Sequence, residues 1–236
     1  MADPANPVKR FYKDVAAVPS DGGWDIRLDG RPVKTPARAA LSLPNQRLAD
    51  AVAEEWRAQG ETIQPRSMPL TGLANAAIDR IAPDPAPFAQ GLAIFGESDL
   101  TCYRAEGPAP LVRRQAEAWD PVLGWARRRF DVDFEVIVGV MHRAQPGRTV
   151  EQLGRAIAAR DAFRLAALAP LVTISGSLLI ALALDEGETD FDTAWVAATV
   201  DEAWQIEQWG EDAEATAQLA ARRAEFEAAY HLLNLL

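Results

Sequence analysis

One cysteine and two histidines are all that this 236-residue chain offers of the residues most used for nucleophilic and metal chemistry. With Cys102 alone, no internal disulfide can form, and a reducing compartment is the natural reading. His142 and His231 lie in no HxH or HExxH spacing, and no CxxC is present, so the recognisable zinc patterns are excluded. Cys102 sits in Leu100-Thr101-Cys102-Tyr103, which reads as a strand, and a lone cysteine there is expected to be a small buried apolar residue rather than a nucleophile. Neither GxxxxGK[ST] nor GxGxxG occurs, so the usual phosphate loops are missing and no cofactor is expected. Internal repeats and low-complexity tracts are absent too. The start, Met1 to Val15, has neither an apolar core of export-signal type nor the Arg/Ser-rich character of a transit peptide.

Hydrophobic residues make up 49% of the chain and charged residues 25%, an ordinary globular balance. A chain of this length buries a real core without covalent staples. Leu165 to Leu184 carries no charge and is long enough to cross a bilayer. It contains Pro170, Thr173, Ser175, Gly176 and Ser177, has no flanking aromatic belt and runs into Asp185-Glu186-Gly187-Glu188. We therefore expect a buried central helix and no membrane insertion. Ser175-Gly176-Ser177 resembles part of a nucleophile elbow only superficially, because no strand–turn–helix pattern surrounds it.

The net charge of −10 is uneven. From Asp185 onward there are 13 acidic residues against two basic ones, whereas the first 184 residues hold 21 against 22. An acidic segment repels nucleic-acid phosphate and favours basic protein surfaces; it is equally a solvated face kept polar for solubility.

The chain reads as α+β: a small β-containing N-terminal domain over 1–82 followed by a larger, mostly α-helical C-terminal domain over 83–236. Trp24 to Leu28 alternates apolar and polar, Asp29-Gly30 is a type I′ turn signal, and Arg31 to Thr35 is the return strand. Leu41-Ser42-Leu43 adds a third short strand. Asn45 is an N-cap for a helix in which Leu48, Val52 and Trp56 recur every four residues before Gly60 ends it. A short helix is expected from Thr71 to Ile81. Ala82-Pro83-Asp84-Pro85-Ala86-Pro87 reads as a linker, since alternate residues lack an amide donor. Beyond it, expected elements are a helix over Leu111 to Phe130 in which Pro121 makes a kink or starts a new turn, a strand over Phe134 to Val140, and a helix capped by Thr149 to Ala159. The uncharged helix follows, then helices over Asp192 to Gln208 and from Glu211 to the C-terminus.

On a continuous helix, Trp195, Thr199, Glu202, Ile206 and Trp209 share one stripe, which sets the Glu202 carboxylate in an aromatic and aliphatic face. Two readings stand. Glu202 pairs internally with an arginine such as Arg27, Arg66 or Arg104, or it is a partner-facing acid in a protein-binding patch anchored by tryptophans. As an enzyme, the chain would be a hydrolase using an acidic cleft of Glu202, Asp201, Glu211 and Asp212; its poverty in histidine counts against this.

Gly30-Arg31-Pro32-Val33-Lys34-Thr35-Pro36, Ala51-Val52-Ala53-Glu54-Glu55-Trp56, Met68-Pro69-Leu70-Thr71, Asp99-Leu100-Thr101-Cys102-Tyr103-Arg104, Gly176-Ser177 and Trp204-Gln205-Ile206-Glu207-Gln208-Trp209-Gly210-Glu211-Asp212 occur in that order. This series resembles the assembly chaperones for the alpha subunit of the F-type ATP synthase catalytic head, the ATP-twelve family, over nearly the whole chain. The resemblance implies a non-enzymatic protein that binds unassembled alpha subunit and shields its beta-facing surface until assembly. It also implies a bacterial cytoplasmic location, or the mitochondrial matrix in a eukaryote. The family's important acid aligns with Glu202, with Asp201 and Glu207 as neighbours in similar context, and Trp56 matches a tryptophan of the N-terminal helix. The expected partner-binding set is therefore Glu202, Trp195, Ile206, Trp209, Glu207 and Trp56, on a chain acting as a monomer.

Overall fold

A computed structural model describes residues 8–139 and 141–236. The fold is α+β, a small sheet region followed by a helical bulk. The chain forms two compact units. One comprises the chain through Pro85 together with Asp161–Ala167 and His231–Leu236; the other comprises Ala86–Arg160 and Leu168–Tyr230.

In the first unit, β1 (Val15–Ser20) and β2 (Gly23–Leu28) form an antiparallel hairpin in the register Val15↔Leu28 to Ser20↔Gly23. β3 (Arg31–Pro32) and β4 (Ser42–Leu43) both pair antiparallel with β2. Asp29 and Gly30 have φ of 47° and 78°, the positive values that a type I′ turn demands at both central positions. Gly23 is fixed by packing as well as by its φ of 129°: a Cβ there would stand 2.2 Å from the Leu43 carbonyl oxygen. The return strand expected to reach Thr35 stops at Pro32, and Thr35 instead donates its hydroxyl to Asp79 at 2.5 Å.

Helix α1 (Gln46–Arg57) starts where Asn45 accepts the Leu48 amide at 2.9 Å, and it buries Leu48, Ala49, Val52 and Ala53. α2 (Pro69–Ala76) runs into one wide π-turn over Ala77–Ile81. The expected linker is only partly a linker. Pro85 and Pro87 lie in the first turn of α3 (Pro85–Ala93), where a missing amide costs nothing because the first N–H groups of a helix have no intrahelical acceptor.

In the second unit, α4 (Ala109–Phe130) is one unbroken element that carries Pro121 inside it. It buries Gln115, Trp119, Val122, Leu123, Trp125 and Ala126, and packs against helices from the C-terminal half. β5 (Tyr103–Arg104) and β6 (Ile137–Val138) form a two-stranded parallel pair; Val140 lies outside the described residues. The strand expected through Cys102 begins one residue later, and Cys102 ends a 3-10 turn over Leu100–Cys102. α5 (Gly147–Ala158) starts before Thr149, whose hydroxyl donates to the Asp133 carbonyl at 2.6 Å rather than capping the helix.

The uncharged run is two helices, not one: α6 (Ala162–Ser175) and α7 (Leu178–Asp185). Gly176 turns the chain at φ 67°, and Ser177 caps α7 by accepting the Ile180 amide at 3.0 Å. Every residue from Leu178 to Leu184 is buried, so apolarity all round reflects the core of this unit. Among the described residues no helix is long and apolar enough to cross a membrane. The helix expected over Asp192 to Gln208 is also divided. α8 (Phe191–Ala198) and α9 (Val200–Trp209) meet at Thr199, which leaves helical geometry at φ −124° and ψ 20°. α10 (Ala213–Leu235) closes the chain, with Asp212 accepting the Ala215 amide at 2.8 Å.

Candidate functional site

The break at Thr199 redistributes the stripe read from the sequence. Trp195 on α8 is 9% exposed and packs edge-on against Phe226 at 5.5 Å, and Thr199 is buried with its hydroxyl on the Trp195 carbonyl at 2.7 Å. Both face the interior of the second unit. Past the break, Glu202, Ile206 and Trp209 turn to a shallow hollow between α9 and α10, lined also by Asp212, Leu219 and Arg222. Trp209 is 79% exposed, the most open large hydrophobic side chain described. A tryptophan left in water at a helix end forfeits a large burial gain, about 1.5–3 kcal/mol for an apolar side chain of this class.

Glu202 is half-buried rather than enclosed. Its partner is Arg222 on α10, at 3.2 Å, and not one of the N-terminal arginines considered from sequence. Arg222 also donates to the Ile174 carbonyl at 3.0 Å, which anchors the guanidinium. Arg104 is engaged elsewhere: it pairs with Asp120 at 2.7 Å and lies over the Trp119 ring. Glu202 and Arg222 thus present a fixed charge pair beside Ile206 and Trp209, polar at one edge and aromatic at the other.

The neighbouring acids are also committed. Asp201 accepts from Gln115 Nε2 at 2.7 Å, and Gln115 Oε1 in turn accepts the Ala105 amide at 2.8 Å. Glu207 accepts from Arg114 at 2.7 Å, and that arginine, stacked 5.0 Å from the Trp204 ring centroid, holds the Glu207 carboxyl below the usual glutamate range. Of the carboxylates in the supposed acidic cleft, Glu202 serves Arg222, Asp201 serves Gln115 and Asp212 caps α10. Cys102 is fully buried, with its thiol pushed up to about 12, chiefly by burial and next by the Asp99 charge.

Trp56 lies in the first unit, on α1. Its carbonyl accepts the Tyr12 hydroxyl at 2.7 Å, its ring meets Tyr12 edge-on at 5.8 Å, and Nε1 is buried without an acceptor among the described residues. Next to it, Glu55 accepts the Leu70 amide at 2.7 Å and both the amide and hydroxyl of Thr71, at 2.8 and 2.7 Å. That carboxylate caps the N-terminus of α2, where the helix dipole favours negative charge.

The other ordered motifs are joints of the same kind, which sequence reasoning did not assign. Asp99, fully buried, accepts from Thr101 and from the Ser177 hydroxyl through Oδ1, and from the Leu179 amide through Oδ2. Asp79 binds both Thr35 and the Ala37 amide. A signal was present: an Asp followed two residues later by Thr, and a Gly-Ser step inside an apolar run, are side-chain capping patterns.

A model of the family described as ATP12 chaperone protein matches residues 9–127. The mitochondrial protein atp12 of Schizosaccharomyces pombe is 24% identical over 219 residues, covering 88% of this chain and 75% of its own. The crystal structure of Atp12 from Paracoccus denitrificans superposes with a TM-score of 0.93 at 41% identity, covering 97% of this chain and 98% of that one. The Atu1473 protein of Agrobacterium tumefaciens superposes at 0.91 with 42% identity, covering 96% and 85%. The chain belongs to the ATP12 chaperone family.

Proposed function

We propose that this protein is a molecular chaperone in ATP synthase assembly that binds the unassembled alpha subunit of the catalytic head and covers the surface alpha later gives to beta. Family membership supports the chaperone role. The observation that carries the contact is the hollow of Glu202, Ile206 and Trp209, with its indole in solvent beside an anchored charge pair. Exposed tryptophans flanked by fixed polar groups are the usual energetic centres of protein interfaces. Glu207 lies on the same helix, and Trp195 supports it from the interior. Trp56 is the contribution of the first unit.

The protein acts by binding and not by catalysis, as a monomer, in the bacterial cytoplasm if its source is bacterial. Release needs no nucleotide: beta displaces the chaperone by burying more alpha surface than the chaperone does. Expression of alpha without beta, with and without this chain, tests the proposal. Alpha should stay soluble only with the chain, co-purify with it, and leave on addition of excess beta. Alpha that is never captured at any salt concentration contradicts it.

A further inference from the structure

A second concave surface lies on the second unit, between α4, α8 and α9. It is a groove of about 750 Å³. Its floor is apolar and small-stepped: Ala118, Pro121 and Val122 from α4 face Val196, Val200 and Ala203 from α8 and α9. Val196, among them, is 61% exposed. The rim is acidic, with Glu117, Glu188, Asp192 and Glu207 against the single guanidinium of Arg114. That guanidinium is bound to Glu207 at 2.7 Å and also faces the Glu117 charge, and Asp192 meets Arg223 at 3.2 Å, so the rim as a whole stays acidic, with Glu117 and Glu188 on it. Pro121 has no amide, so the Glu117 carbonyl lacks its i+4 donor.

We propose that this groove receives a cationic amphipathic helix of a client protein, its apolar stripe on Val196 and Pro121 and its lysines or arginines on Glu117 and Glu188. An apolar floor flanked by charge is the kind of surface that takes one helix face, read at i, i+4 and i+7. The charge sorts the occupants: a phosphate backbone or an anionic lipid surface is repelled by the rim, whereas a basic helix is steered toward it. The inference rests on the chaperone reading for the existence of a client, and it adds a contact distinct from the Trp209 hollow.

The probe is a labelled amphipathic peptide of about 15 residues with a leucine stripe and lysines on its polar face, compared with the same peptide carrying glutamates. Fluorescence anisotropy with the full chain at low salt should give affinity for the lysine peptide at least about tenfold the stronger. Val196→Asp and the paired Glu117→Lys, Glu188→Lys change should each weaken it about tenfold with unchanged circular dichroism; all three side chains are solvent-facing, so the fold tolerates them. Equal binding of both peptides, or lysine-peptide binding indifferent to the substitutions, overturns the proposal. So does a homodimer that Val196→Asp dissolves, since the occupant is then a second copy. Alpha capture by the same preparation is measured in parallel: no peptide binding with alpha still captured discards the groove alone, and failure of both discards the chaperone reading with it.

Discussion

Ser177 Oγ donates to Asp99 Oδ1 at 2.7 Å across 78 residues of sequence, and both side chains are fully buried. The same hydroxyl accepts the Ile180 amide and so caps α7, while Asp99 also holds Thr101. One polar contact thereby ties the turn before β5 to the break in the apolar run. In an interior of low dielectric such a network is worth keeping only when every member is satisfied.

Ser177→Ala should cost about 1–3 kcal/mol of unfolding free energy, because it strips a cap and leaves Asp99 short of a donor. Urea unfolding followed by circular dichroism measures it. Capture of a client by the folded variant should not change; a stable variant with lost capture would mean that the pair does more than hold the fold.

The pH dependence follows from the same carboxyl. Burial pushes Asp99 above the usual aspartate range, with its four donors opposing. A group that binds protons more tightly when folded makes stability fall as pH rises from its unfolded value, about 3.9, through the raised folded value. Asparagine at this position does not titrate. The penalty of Asp99→Asn should therefore shrink between acid and neutral pH, as read from urea midpoints. Glu55, raised likewise by burial, is common to both proteins and cancels in the difference. A penalty that stays flat or grows with pH would contradict the assignment.

Cys102 should be inert. With its thiol pushed up to about 12 and no exposed surface, almost no thiolate exists at pH 8. A chromogenic disulfide reagent should react with it only on the timescale of unfolding and at once in denaturant. Immediate reaction in native buffer would show that the turn over Leu100–Cys102 opens.

Much of this fold was legible in the sequence, and the failures share a cause. Asn45 as a cap, the Asp29-Gly30 turn and the period of α1 were readable because each depends on neighbours within four residues. β1 was missed because Val15–Ser20 is alanine-rich and contains Pro19, although Asp21-Gly22 before Gly23 is the two-residue turn that marks it. The two long helices were over-extended because hydrophobic period carries through Gly176 and Thr199; the Gly176-Ser177 step was a local cue to the first break, whereas the break at Thr199 shows only in the tertiary structure. Asp161–Ala167 and His231–Leu236 belong with the first unit, where Asn45 and Arg47 donate to the carbonyls of Leu235 and Asn234 at 2.8 Å. Such returns lie beyond local pattern. At the candidate site, Glu202 and Trp209 were singled out by residue type, but Arg222 was not named as the partner of Glu202, since it lies 20 residues on, in the next helix.

The affinity of purified alpha subunit for Trp209→Ala, against the unaltered chain, decides whether the α9 hollow meets the client. Trp209 is exposed and supports no core, so its truncation should leave the unfolding midpoint in place. Alpha should bind Trp209→Ala at least about tenfold more weakly, the loss expected of an interface anchor worth roughly 1.4 kcal/mol or more. Alpha bound as tightly by Trp209→Ala as by the unaltered chain would contradict this and move the client contact off α9.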